Sequence, residues 1–123
     1  EIRKNIALLA PGNKHMEVRG NHIHLTDDPK VHYVRPAVDI MMKTAAPIYG
    51  NRTVGVILTG MGSDGAEGMQ LIKKLGGRTV VQDEETSVVY GMPKAAVDIG
   101  AADEVVPLEH IASRIVTALK KIG

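Results

Sequence analysis

The chain has 123 residues, enough for one compact domain or a large part of one, and a 44% apolar share that suffices for a folded core. Fifteen basic residues against fourteen acidic ones leave a net charge of +1, without the basic footprint of a nucleic-acid binder; three Tyr with no Phe or Trp offer little for base stacking. The absence of cysteine excludes disulfides, thiol catalysis and thiolate metal sites.

Along the chain, Ile6 to Ala10 is a short apolar run closed by Pro11-Gly12, which predicts a strand and a turn. Met16, Val18, Ile23 and Leu25 flank Gly20-Asn21, the pattern of a β-hairpin with one buried face. Asp27 to Val34 reads as loop. Pro36 suits the first turn of a helix carrying Val38, Met41, Met42 and Ala45, which Pro47 should end or kink. Val54 to Leu58 is then expected as the central strand, and Met69, Ile72 and Leu75 as the apolar stripe of the following helix, stopped by Gly76-Gly77.

Thr79 to Val81 predicts another strand, ending in the polar run Gln82-Asp83-Glu84-Glu85. A short helix over Pro93 to Ile99, a strand over Glu104 to Val106, and a final helix with the stripe Leu108, Ile111, Ile115, Leu119 complete the pattern. Strands alternate with helices through the second half. The predicted fold class is therefore α/β, a doubly wound, mostly parallel sheet with a short β-hairpin near the N-terminus. No apolar run is long enough to cross a bilayer, and Glu1-Ile2-Arg3-Lys4-Asn5 does not read as a signal peptide, so a cytoplasmic protein without membrane insertion is expected.

The densest signal is Gly60-Met61-Gly62-Ser63-Asp64-Gly65, a glycine turn between a strand and a helix. It fits G-x-G-x-x-G, and Asp83 follows at about the distance of a dinucleotide fingerprint. Against that stands Asp64, whose charge at about 4 Å from a pyrophosphate would cost several kcal/mol. A second reading makes Asp64 the N-cap of the helix after it, worth about 1 kcal/mol, with Glu67 completing a form of capping box. A third makes Asp64 the carboxylate that orients the histidine of a Ser-His-Asp triad. A neighbouring N–H, from Met61 or Gly62, could then serve an oxyanion hole worth about 3 kcal/mol. Spacing alone does not choose between cap and triad.

His22 and His24 are two apart on one face of the hairpin, opposite Ile23 and Leu25. With His15 they raise a metal site, but solvent-facing histidines are the simpler account, and neither metal nor cofactor is expected. Ser63, Ser87 and Ser113 lack a convincing basic partner, and Met61 sits where a G-x-S-x-G elbow needs its first glycine.

Leu58 to Ala66 with Gly68-Met69 resembles the signature of the CheB-type protein-glutamate methylesterases of bacterial and archaeal chemotaxis. Four further stretches resemble the same family in order: Ala10 to Met16, Arg35 to Asp39, Gln82 to Glu84 with Ser87 to Pro93, and Ala102 to Leu108. The resemblance implies a serine hydrolase that demethylates receptor glutamyl methyl esters and deamidates certain glutamines. It places Asp64 on the triad aspartate and Met61 on the residue whose backbone N–H helps bind the oxyanion. Ala37 stands where the family often has Ser. It further implies that residues 1–123 are the C-terminal part of the catalytic domain. The segment with the nucleophilic Ser and catalytic His, and a receiver domain, would lie upstream, and methyl-accepting chemotaxis receptors would be the protein substrate. The alternatives are a non-catalytic receptor-interaction remnant of the same fold and a dinucleotide-binding domain.

Overall fold

The structure is a computed structural model that describes residues 1–122. It contains an antiparallel hairpin of β1 (His15–Arg19) and β2 (His22–Thr26), then α1 (Val38–Tyr49) and a short 3-10 turn over Gly50–Arg52. β3 (Val54–Ile57), α2 (Ala66–Lys74), β4 (Arg78–Gln82), α3 (Met92–Asp98), β5 (Glu104–Val106) and α4 (Leu108–Ile122) follow in the alternating order expected.

The three later strands form a parallel sheet in the order β3-β4-β5, with Ile57 opposite Val81 and Gln82 opposite Val106. Successive strand residues point to opposite faces. Val81, fully buried, joins Ile57, Met69, Ile72 and Ala96 in the main core, so α2 and α3 lie on its side. Val80, equally buried, points the other way, toward α4. α1 packs outside α2 through Met42 and Ala46, and the hairpin leans on α1. There the Val18 N–H donates to Thr44 Oγ1 at 2.9 Å, while that hydroxyl donates back to the Ile40 and Met41 carbonyls.

Several expectations are corrected. Val54 to Leu58, expected as the central strand, lies at an edge among the described residues, where β4 runs between β3 and β5. Ile6 to Ala10 forms no strand, because no neighbouring backbone pairs with it, and Leu9 is 95% exposed. In the hairpin Val18 is buried but Leu25 is 53% exposed, since only β1 lies against α1. The final helix buries Ile111 and Ala118 and leaves Leu108 and Leu119 exposed. Its covered stripe therefore follows 111, 115 and 118 rather than 108, 111, 115 and 119. Leu75 also emerges at the surface, just beyond the last turn of α2.

An unpaired edge at β3, with Leu58, Ile6 and Leu8 exposed nearby in sequence or at the N-terminus, is a template for pairing with another chain. The isolated 123-residue polypeptide is expected to self-associate in sedimentation velocity, with a broad thermal transition. A monodisperse monomer with a sharp transition would show that the edge is harmless.

Candidate functional site

Asp64 lies in the turn at the carboxyl end of β3 and is 6% exposed. The capping expectation is half right, with the wrong helix. Asp64 makes no cap bond to α2, whose N-cap position is Gly65 at φ 97°, a left-handed conformation that glycine adopts without strain. Its carboxylate turns instead to α1. Oδ2 accepts the Val38 N–H at 2.7 Å and Oδ1 the Asp39 N–H at 3.0 Å. Ala37, the N-cap residue of α1, has no capping side chain, so Asp64 supplies the cap from another part of the chain.

α2 receives the same service in return. Asp39, 1% exposed, accepts the Gly68 N–H at 2.8 Å, and its second oxygen meets His32 Nε2 at 3.0 Å. Gly68 permits this approach: a Cβ there would stand 2.5 Å from Met42 Cβ and 3.1 Å from Asp39 Oδ1. Glu67 is not the partner of a capping box; it faces solvent and pairs with Lys43 at 3.3 Å.

Sequence reasoning missed His32 and Asp39. His32, Asp39 and Asp64 bring one ligand-type atom each within 4.8 Å of one another. His32 is carried by a loop that Arg35 ties down, through the Asp27 and Asp28 carbonyls and Asn13 Oδ1. The His15, His22 and His24 grouping separates. His22 and His24 face solvent, but His15 is fully buried. Its Nδ1 accepts the Ala37 N–H at 3.2 Å and Nε2 reaches the Pro29 carbonyl at 2.9 Å, contacts that together select the Nε2–H tautomer. It is a structural pin between β1, the loop and the start of α1.

Met61 is 82% exposed, and among the described residues neither its N–H nor that of Gly62 donates to another group. Both residues, with Ser63, Asp64, His32, Val34, Pro36, Val38 and Met92, line a cleft of about 260 Å³. Two of its walls thus hold a fixed carboxylate and free backbone donors. A larger groove of about 700 Å³ between Lys43 and Lys74 is lined mainly by long polar side chains of α1 and α2 and gathers no comparable chemistry.

The turn itself is latched from below. Gln82 is buried at the end of β4; its Oε1 accepts the Thr59 N–H at 2.8 Å and its Nε2 donates to the Thr86 carbonyl at 2.7 Å. Among the described residues none of the serines has an activating base. Ser87 Oγ donates to the Asp83 carbonyl at 2.6 Å and Ser113 Oγ to the His110 carbonyl at 3.0 Å, while Ser63 Oγ has no hydrogen-bond partner among those residues.

A parallel α/β sheet with a carboxylate and open N–H groups at a strand's carboxyl end defines the α/β class that keeps its chemistry at that edge. At the α2 N-terminus the Gly68 N–H already binds the Asp39 carboxylate, a charge that disfavours the pyrophosphate of a dinucleotide there. The chain belongs to the CheB methylesterase family, whose model matches residues 1–115. It is 54% identical over 125 residues to a protein-glutamate methylesterase/protein-glutamine glutaminase of Pyrococcus abyssi, covering 98% of this chain and 34% of that one. A protein of the same name from Bdellovibrio bacteriovorus is 50% identical over 117 residues, covering 92% and 33%. The crystal structure of the Thermotoga maritima CheB methylesterase catalytic domain superposes with a TM-score of 0.80 at 39% identity, over 92% of this chain and 58% of that chain. The chain spans about a third of the length of the curated relatives it matches.

Two outcomes are expected from this geometry. Asp39→Ala strands the buried Gly68 N–H and should lower stability by about 2 kcal/mol, measured by urea denaturation. A change under about 0.5 kcal/mol would show that water replaces the cap. The isolated chain should also resist serine-directed fluorophosphonates, because no hydroxyl in it is activated; stoichiometric labelling of Ser63 or Ser87, read by mass spectrometry, would contradict this.

Proposed function

We propose that this chain is the C-terminal part of a methylesterase catalytic domain and supplies the electrostatic half of its active site. The observation that carries the reading is the pairing, in one cleft, of a rigidly held carboxylate with unpaired backbone N–H groups. Asp64 acts as the triad aspartate and Met61 as an oxyanion donor. The serine nucleophile and its histidine come from an upstream segment of the same domain.

The chemistry follows from the lone pairs. A carboxylate offers about four acceptor sites; Val38 and Asp39 take two of Asp64's, leaving capacity for an imidazole N–H on the cleft side. That bond fixes the histidine tautomer and stabilises the imidazolium formed when the serine attacks an ester carbonyl. As the carbonyl oxygen becomes an oxyanion, the Met61 N–H binds it more tightly than it bound the ester, which lowers the barrier. Collapse expels methanol from a glutamyl methyl ester, or ammonia from a glutamine side chain, and water hydrolyses the acyl-enzyme. The substrates are methylated glutamates and certain glutamines of chemotaxis receptors, reached from the cytoplasm. A receiver domain of the same two-component protein regulates access. The family names of the relatives support this substrate class, and no cofactor enters the reaction.

In a complete domain, Asp64→Asn should reduce methanol release from a glutamyl methyl ester peptide by about three to four orders of magnitude. Asn has one acceptor oxygen for two α1 N–H groups, so stability should fall by only about 1 kcal/mol. A loss of activity below tenfold in a folded variant would reduce Asp64 to the cap of α1 and leave a non-catalytic remnant of the fold as the better reading.

A further inference from the structure

The Met61 N–H belongs to the peptide group that also contains the Gly60 carbonyl, and that carbonyl is held twice. The Gly91 N–H donates to it at 3.0 Å and the Met92 N–H at 2.9 Å. A trans peptide is planar, with its C=O and N–H pointing in opposite directions. Fixing the Gly60 oxygen on the 91–92 backbone therefore fixes the Met61 N–H to point away from it. Two hydrogen bonds to the carbonyl also polarise the peptide and strengthen its N–H as a donor.

The surrounding contacts keep the peptide plane from rotating. The Gly60 N–H donates to the Val89 carbonyl at 3.0 Å. Thr59 Oγ1 donates to that same carbonyl at 3.1 Å and accepts the Val89 N–H at 2.9 Å. Gly91 has no substitute at this spot. A Cβ there would lie 2.7 Å from the Gly60 oxygen, 2.9 Å from the Gly62 nitrogen and 3.1 Å from the Gly62 oxygen, all backbone atoms unable to swing aside. On the other side, a Cβ on Gly60 would meet Met92 Sδ at 2.5 Å.

We infer that the 89–92 segment is the positioning element of the oxyanion hole: Gly91 and Met92 aim and polarise the Met61 N–H through the Gly60 carbonyl, and Thr59 holds the two segments in register. This rests on the assignment of Met61 as an oxyanion donor made above. Gly91 and Thr59 are positioning residues, since neither needs to touch the substrate. Their effect belongs to the transition state, where the oxyanion exists, and not to ester binding.

The test uses the complete catalytic domain and methanol release from a glutamyl methyl ester peptide. Gly91→Ala should lower kcat by about tenfold to a hundredfold, below the full loss of an oxyanion donor, with KM changed less than about threefold. Thr59→Val, which deletes both hydroxyl bonds without changing shape, should lower kcat by about threefold to tenfold, and Thr59→Ser should restore it. The Met61 amide proton resonance should move upfield in Gly91→Ala and Thr59→Val as its peptide is depolarised. Should Gly91→Ala fail to fold, the Thr59 pair decides. Activities of both variants within twofold of the parent, or a rise in KM that accounts for the whole loss, overturn the inference. If the parent domain is active and Asp64→Asn silences it while these variants do not, the inference alone falls. If the parent releases no methanol, the functional reading falls first.

Discussion

Two buried aspartates cap each other's helices, and the rest of the site is built on that exchange. Asp64, in the turn before α2, binds the first N–H groups of α1; Asp39, in the first turn of α1, binds an N–H of α2. Asp64 thus meets two orphan donors of α1 and Asp39 one of α2, each a charge that suits the positive end of a helix dipole. The exchange only works if the two helices approach closely, and Gly68 under Met42 makes that approach possible. Sequence-distant side chains thus set the angle of α1 to α2, and the direction of the Asp64 carboxylate with it.

That arrangement bears on what the glycine turn can bind. In a dinucleotide fold the free N–H groups at a helix start receive the pyrophosphate. Here both nearby helix starts already hold carboxylates, whose charge repels a pyrophosphate, while the N–H groups of Met61 and Gly62, beside the cleft, are unpaired among the described residues. A pair of adjacent N–H groups suits a single oxygen. A developing oxyanion is a ligand of that size, and family membership points the same way.

Much of this was legible in the chain. The hairpin, all four helices and the parallel strands follow from periodicity and from glycine and proline punctuation, and the strand–turn–helix around Asp64 follows from local sequence. What was not legible depends on contacts between distant residues. Asp64 reads as a cap for the helix next to it, because nothing in the sequence reveals that Val38 lies within reach. His15 looks like one more surface histidine, yet its two ring nitrogens are consumed by Pro29 and Ala37. His32 carries no motif of its own, and the stretch Arg35 to Asp39 gives no sign that its last residue caps another helix. The run Ile6 to Ala10 has strand composition, but composition does not supply a partner strand, and Leu9 is left in solvent. Leu25, Leu108 and Leu119 err for a related reason: periodicity defines an apolar stripe, while packing decides how much of it is covered.

The proposed catalytic groups differ in how they are held, and the difference bears on mechanism. An oxyanion donor works by being in place before charge develops, so its value lies in rigidity. The Met61 side chain is almost wholly in solvent, yet the peptide N–H it shares with Gly60 is fixed through the Gly60 carbonyl, which contributes no side chain at all. Exposure of the residue therefore says nothing about precision of the donor. The orienting carboxylate is likewise held through backbone, by two N–H groups of α1. Both groups are set by main-chain hydrogen bonds that side-chain substitution on the cleft surface leaves untouched. A site built this way can accept changes at Met61, Ser63 or Val34 to suit different substrates while its electrostatic frame stays constant. Substitutions that reach the frame are those at Gly91, Gly68 and Asp39, where backbone approach or a buried charge is at stake.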